Sequence, residues 1–352
     1  MSEPNYIKLY RSLREAIVNG DYPYGTRLPS KRTLAADKGV SLITAEHAYA
    51  LLAEEGYILS RERSGFFVCY RGEEFFPVHE TPLDPLPQNA NALRDEFPFS
   101  VLAKTMRHTL SFYGEQLLQS SPAFGCAELR TALAEYLARS RSIRVSSDQI
   151  IIGSGAEYFY GLVVQLLGRD LIFGLESPSY QKIRQVYEAV GVQCEALTLG
   201  PDGILSEALA GSRAGVLHIT PFHSYPSGVT ASASKRAEYV RWAREHHAYI
   251  VEDDYDSEFT LSSKAEEPVF SRSPDGRVIY LNTFSRSIAP SLRAGYMVLP
   301  PALLEQFREK LGFYSCSVPV FEQYVLTELI RSGDFERHIN RVRRRLRREK
   351  TP

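Results

Sequence analysis

From about residue 99 onward, amphipathic helical segments alternate with short apolar runs: "QIIIG", "LIFGL", "GVLHIT", "AYIVED", "RVIYL" and "YMVLP". Apolar runs of this length between helices predict an α/β domain with a mainly parallel sheet covered on both faces. Ligands in such sheets sit at the carboxyl ends of the strands. The polar residues that close these runs are therefore where a site is expected. Residues 1–70 follow another pattern. "YIKLYRSLREAIVNG" places Ile7, Leu9, Tyr10, Leu13 and Ile17 at helical spacing and stops at Gly20. Ser30 then opens the short helix "KRTLAADKG". Ser41 opens a second, which buries Ala45, Ala48, Tyr49 and Leu52. "YILSRERSGFFV" closes the zone as two short strands around a turn. Two helices about a glycine-containing turn followed by such a ribbon predict a winged helix-turn-helix.

A chain of 352 residues predicts two domains. Residues 71–98, with Pro77, Pro82, Pro85, Pro87 and Pro98, read as an extended linker between residues 1–70 and 99–352. Lysine and arginine number 41 against 42 acidic residues, so no global charge announces a partner. Four scattered cysteines form no CxxC pair, which excludes a zinc framework and predicts no metal site. The opening residues carry no leader pattern and no apolar run is long enough to span a bilayer. The expectation is a cytoplasmic protein without membrane contact.

The blocks "GTRLPSKRTLA" and "AYALLAEEGYI" resemble the GntR-type winged helix across the whole N-terminal zone. The resemblance implies that Arg27, Ser30 and Arg32 hold phosphates, that Ser41, Thr44 and His47 reach the major groove, and that Arg61, Arg63 and Gly65 place the wing at the minor groove. Phosphate contacts set register, while groove-facing side chains read sequence. Leu42 and His47 stand where the family carries arginines. With nine basic and eight acidic residues in 1–70, charge alone leaves a protein-binding helical module as the competing reading. Segment order favours double-stranded DNA.

The larger zone resembles the fold type I pyridoxal-phosphate aminotransferases, and specifically the MocR/GabR-type regulators that join a GntR head to that fold. "VEDDYDSEF" carries the resemblance furthest. It implies that Asp253 pairs with the pyridine nitrogen and that Tyr255 hydrogen-bonds the ring oxygen. "IIGSGAEYF" implies a phosphate turn at Ser154, Gly155 and Ala156, since amides at a helix start attract phosphate. "LESPSY" brings Tyr180 to the position of the stacking aromatic. In "VIYLNTFSRSIAPSLRAGYMVLP", Thr283, Ser285 and Arg293 would complete the phosphate cradle. Each of these patterns also has a bland reading, as a solvated strand end, an ordinary strand–helix turn or a rim tyrosine.

Four departures run through the same zone. Arg286 stands where the family has its Schiff-base lysine, 31 positions after Tyr255 (286 − 255). A guanidinium stays protonated below a pKa of about 12 and cannot attack an aldehyde. Ser224 replaces an amide side chain in "TPFHSYPSG", and Ser120 and Ser121 replace the residues expected before "PAFGCAELR". The chain stops after the basic segment "DFERHINRVRRRLRREK", which reads as a solvated helix, where the family continues into a small C-terminal domain. Together these predict a homodimeric DNA-binding regulator. Its second domain would hold pyridoxal 5'-phosphate noncovalently, or sense a small effector such as an amino acid, without turnover and with no catalytic residue. The alternatives are an active aminotransferase with a DNA-binding head, or a degenerate fragment.

Overall fold

The computed structural model describes residues 4–61, 64–70, 97–259, 266–273 and 276–350. They divide between two compact units, one within Met1–Gln88 and the other within Asn89–Pro352. Except for Phe97 and Pro98, the expected linker 71–98 lies outside the described residues, as does Arg63 of the wing.

The first unit consists of α1 (Asn5–Val18), α2 (Lys31–Lys38), α3 (Leu42–Glu54), β1 (Ile58–Arg61) and β2 (Gly65–Val68). Leu9, Leu13 and Ile17 of α1 meet Leu34 of α2 and Ala45, Ala48, Tyr49 and Leu52 of α3 in one core. The small alanines let the helices approach closely, and Tyr49 satisfies its buried hydroxyl by donating to the Pro29 carbonyl at 2.8 Å. Ser30 and Ser41 cap α2 and α3, each accepting the backbone N–H three residues on at 3.1 Å. Between the helices, Gly39 takes the left-handed conformation that ends α2 (φ 62°). The antiparallel pair β1–β2 aligns Ile58 with Val68 and Arg61 with Gly65.

The second unit is a single mixed sheet covered by helices. Its strands are β3 (Ile150–Gly153), β4 (Phe173–Ser177), β5 (Cys194–Gly200), β6 (Gly203–Ile204), β7 (Val216–Ile219), β8 (Tyr249–Asp253), β9 (Val278–Thr283) and β10 (Gly295–Val298), in the order β3-β10-β9-β8-β7-β4-β5-β6. All six apolar runs are strands. The pairings among β5, β4, β7, β8 and β9 are parallel. β10 departs from the parallel expectation and runs against both β9 and β3, because a connection as short as 284–294 returns the chain antiparallel.

Neighbouring residues along each strand go to opposite faces. Ile150, Ile152, Tyr280, Tyr296 and Val298 join one core with α5 (Ala127–Ser140), α11 (Val320–Arg331) and α12 (Asp334–Lys350). Ile151, Ile279, Leu281, Met297 and Leu299 join the other, with α6 (Ala156–Leu167), α7 (Gln181–Ala189) and α10 (Pro301–Leu311). The basic segment is therefore more than a solvated helix. Helix α12 buries Phe335, Ile339 and Val342, and its Arg343 donates to the Glu258 carbonyl.

Candidate cofactor site and DNA-binding surface

The sheet register places the site. Gly153 and Thr283 both pair with Gly295, so β3 and β9 end at one level, and Asp253 closes β8 beside Leu281. A cavity of about 340 Å³ opens at this edge, lined by Ala156, Tyr160, Tyr180, Ile183, Thr220, Tyr225, Asp253 and Tyr255.

Asp253 is buried at its base. Tyr160 donates to Asp253 Oδ2, and His218 Nε2 lies 3.9 Å from the same oxygen. Asp253 Oδ1 has no hydrogen-bond partner among the described residues. Burial pushes this carboxyl up to about 6, against the pull of the Tyr160 hydrogen bond. His218 faces Tyr187 through Nδ1 at 2.8 Å, and burial drives its pKa down to about 3. The imidazole is therefore neutral and adds no cation to offset Asp253. A buried carboxylate oxygen without a donor is a costly arrangement. A cationic N–H reaching Oδ1 would remove that cost, and this is the chemistry of a protonated pyridine nitrogen. The residues present fit a pyridoxal group at this end, with Tyr180 and Tyr225, 6.0 Å apart edge to face, as aromatic walls at the mouth.

The phosphate end is assembled from backbone. Gly155 has φ 104°, which an L side chain rarely adopts, and a Cβ there would stand 3.6 Å from Arg293 Nη2. Arg293 leans over this turn while pairing at 3.7 Å with Glu157, which also binds Lys182 at 3.2 Å. The Ser154 amide donates to Ser317 Oγ at 3.1 Å, and the Ser285 hydroxyl contacts the Leu292 carbonyl at 3.4 Å. Thr283 is buried at the end of β9.

Three residues of these motifs have partners within the protein. The Tyr255 hydroxyl donates to the His223 carbonyl at 2.9 Å, so toward a ring oxygen it has only lone pairs to offer. The Ser224 hydroxyl is buried and donates to Glu176 Oε2 at 2.6 Å, so this serine serves an internal carboxylate. Burial pushes Glu176 up to about 7. Arg286 turns to Asp256, Nε to Oδ1 at 3.2 Å, and Asp256 also contacts His223 Nδ1 at 3.2 Å.

Tyr160, His218, Glu176 and Asp256 join the site without having been singled out by the sequence motifs. Tyr160 was within reach of helical spacing, since it lies four residues after Ala156 and so on the same face of α6.

On the winged helix, Arg27, Arg32, Ser41, His47 and Arg61 are exposed, and Thr44 is half-buried. Ser30 and Ser41 spend their hydroxyl oxygens on capping. The His47 ring meets Tyr6 edge-on at 5.7 Å. Arg61 covers the Phe67 ring at 4.7 Å, and Gly65 takes φ 104° with the Arg27 side chain beside it.

A winged helix-turn-helix and a separate aminotransferase-type sheet in one chain define a class of transcription regulator. Comparison with known proteins agrees. Residues 5–68 match the bacterial regulatory protein gntR family, and residues 85–351 match aminotransferase class I and II. The uncharacterised HTH-type transcriptional regulator YdeL of Bacillus subtilis is 34% identical, over 99% of this chain and 78% of the relative. The probable rhizopine catabolism regulatory protein MocR of Rhizobium meliloti is 28% identical over 97% and 74%. The pyridoxine biosynthesis regulator PdxR of Corynebacterium glutamicum is 29% identical over 97% and 77%. Among solved structures, kynurenine aminotransferase of Pyrococcus horikoshii superposes with a TM-score of 0.64 at 28% identity, covering 70% of this chain and 64% of that one. LysN, the α-aminoadipate aminotransferase of Thermus thermophilus, gives 0.62 at 28% identity with the same coverage. The chain thus spans about three quarters of these regulators and just under two thirds of these enzymes. It belongs to the GntR family of HTH-type transcriptional regulators that carry an aminotransferase class I/II domain. Among the described residues no helix is long and apolar enough to cross a membrane, and no cluster of metal-ligating side chains occurs.

Proposed function

We propose that this protein is a cytoplasmic DNA-binding regulator whose aminotransferase-like domain takes up pyridoxal 5'-phosphate reversibly and performs no turnover. In this reading residues 1–70 bind DNA, 71–98 link, and 99–352 sense. The observation that carries it is the contrast between two residues of the candidate site. Asp253 keeps a buried oxygen without a partner among the described residues, while Arg286 is ion-paired to Asp256 at 3.2 Å. When bound, the cofactor would supply an electron-withdrawing ring. Asp253 would hold its nitrogen, Tyr180 and Tyr225 would enclose the ring, and Gly155, Ala156 and Arg293 would hold the phosphate. Arg286 can offer charge and hydrogen bonds but no nucleophilic amine. A small effector such as an amino acid would enter at the same mouth.

Self-association of the second unit is part of the proposal. Phe99, Met106, Leu110 and Phe112 of α4 (Phe99–Tyr113) are exposed, with Leu118 just beyond. Apolar surface of this extent supports a homodimer, which would present two winged helices to two half-sites. Light scattering behind size exclusion should give twice the chain mass.

The direct test is to titrate purified protein with pyridoxal phosphate, reduce with borohydride and weigh the intact chain. Saturable binding with no pyridoxyl group fixed on the protein is expected. Binding should also shift the affinity for DNA upstream of the protein's own gene. Fixation on a lysine, or steady amino-group exchange between an amino acid and a keto acid, would overturn the reading.

A further inference from the structure

We infer that the operator is read through the 5-methyl groups of thymine, by Leu42 and Ile43 in the first turn of α3. The inference rests on the winged helix binding duplex DNA and adds how it would choose a sequence.

The polar side chains at the start of α3 are already engaged. Ser41 Oγ accepts the Thr44 amide at 3.1 Å and shares a hydrogen bond with the Thr44 hydroxyl at 2.8 Å. Glu46 pairs with Lys31 at 2.6 Å. What projects from this turn without such a contact is aliphatic, for Leu42 is 45% exposed and Ile43 is 65% exposed. The buried stripe of α3 runs through Ala45, Ala48, Tyr49 and Leu52. At about 100° per residue, Ile43 falls on the opposite side, in line with His47 one turn on and then Ala50, both exposed. The face that α3 turns away from its core is thus apolar at its leading end.

An aliphatic side chain has neither donor nor acceptor and cannot distinguish the polar edges of guanine, cytosine or adenine. The apolar group that the major groove displays is the thymine methyl. Arg27 and Arg32, both exposed, and Arg61 on the wing supply the cations that would hold the phosphates. Orientation would come from these, and choice of base from Leu42 and Ile43.

The full chain should be used to recover preferred sites from random-sequence duplex DNA. The recovered site is then remade with each thymine replaced in turn by deoxyuracil, which lacks only the methyl group. Affinity is expected to fall about fourfold for each contacted methyl lost, the value of burying one such group, and to compound across contacts. Leu42→Ala and Ile43→Ala lie outside the core and should melt as the parent does. In each, the thymine-to-uracil ratio at one position should drop toward one while the salt dependence set by phosphate contacts persists. If no thymine replacement matters, or if both variants keep the parent's ratio, the inference fails while DNA binding stands. Those same results with a change in oligomeric state would assign the two side chains to a protein contact. Recovery of no sequence, with no salt-sensitive binding, would remove the DNA-binding reading and this inference with it.

Discussion

The two ends of the candidate site, Asp253 and Arg286, stand under opposite physical conditions. At the Asp253 end everything is buried: the carboxylate, Tyr160, and a neutral His218 whose burial forbids protonation. At the Arg286 end the arginine side chain is 49% exposed and its partner Asp256 is half-buried. Buried polar groups are over-determined by their neighbours, so their positions persist whether or not chemistry follows. An exposed position tolerates exchange, since water can solvate whatever stands there. In the proposed reading, an arginine could therefore stand at the family's lysine position without disturbing Asp253, which would recognise the ring. Recognition and reaction separate along this line.

The largest expected effect breaks the contrast outright. Arg286→Lys restores an amine that can lose a proton, next to a ring site already formed. Borohydride reduction in the presence of pyridoxal phosphate should then fix one pyridoxyl group on the chain where the parent fixes none, read by intact mass. If the introduced amine remained unreacted while reversible binding continued, the Asp256 ion pair would be holding it away, and the exposed end would matter more than argued.

Asp253→Asn tests the buried end. A hydrogen bond to a charged group contributes about 1.5–3 kcal/mol, so losing the anion should weaken pyridoxal-phosphate binding by roughly ten- to a hundredfold, measured by fluorescence titration. An unchanged affinity would show that the ring nitrogen does not reach Oδ1.

The same burial gives the unliganded protein a pH dependence. Burial raises Asp253 to about 6 and Glu176 to about 7, above their ordinary values. An acid whose folded pKa is raised binds its proton more tightly in the native state. The stability it contributes is complete below its unfolded pKa, near 4, and is lost as pH rises through its folded value. These two carboxyls should therefore make the unliganded chain less stable between about pH 4 and pH 7, by at most about 3 kcal/mol each, read as a fall in melting temperature against the opposite contribution of buried, neutral His218. Glu176→Gln should flatten the upper part of that slope and Asp253→Asn the lower part. A slope identical in both variants would assign the effect to Glu252 and Glu258, which burial also raises.

The same division between buried and exposed decided what could be read from the chain. The six apolar runs were legible because strands buried on both faces are apolar throughout. β5, "CEALTLG", was not, since only Leu197 is fully buried and its neighbours are mixed. The convergence of Asp253, Tyr255, Tyr180 and Ala156 on one cavity was implied by the family resemblance of the motifs that carry them. The hydrogen bond from Tyr160 to Asp253 joins residues 93 positions apart, and no local pattern marks it. Hydroxyls were the hardest to assign. Motif matching points Ser30, Ser41 and Tyr255 at ligands, yet each is engaged within the protein by a cap or a backbone carbonyl. Ser224, which stands where the family has an amide side chain, is held by a carboxylate. A serine at a helix start satisfies the local backbone first, because that partner is always within reach.

The smallest effect sharpens the comparison from the exposed side. Asp256→Asn removes the partner of Arg286 and weakens the contact with His223. Ion pairs in contact with solvent contribute about 0–1 kcal/mol, so the melting temperature should move by no more than a few degrees. Reversible pyridoxal-phosphate affinity should change less than about threefold, because in the proposed reading Asp253 would hold the ring nitrogen. What should change is the freedom of the guanidinium. An anionic effector bound at the cavity mouth would gain a cation that Asp256 otherwise neutralises, and its affinity should rise in the variant and fall again with added salt. Were Asp256→Asn instead to cost as much binding as Asp253→Asn, the two ends would be one coupled network, and the separation of recognition from reaction would not hold.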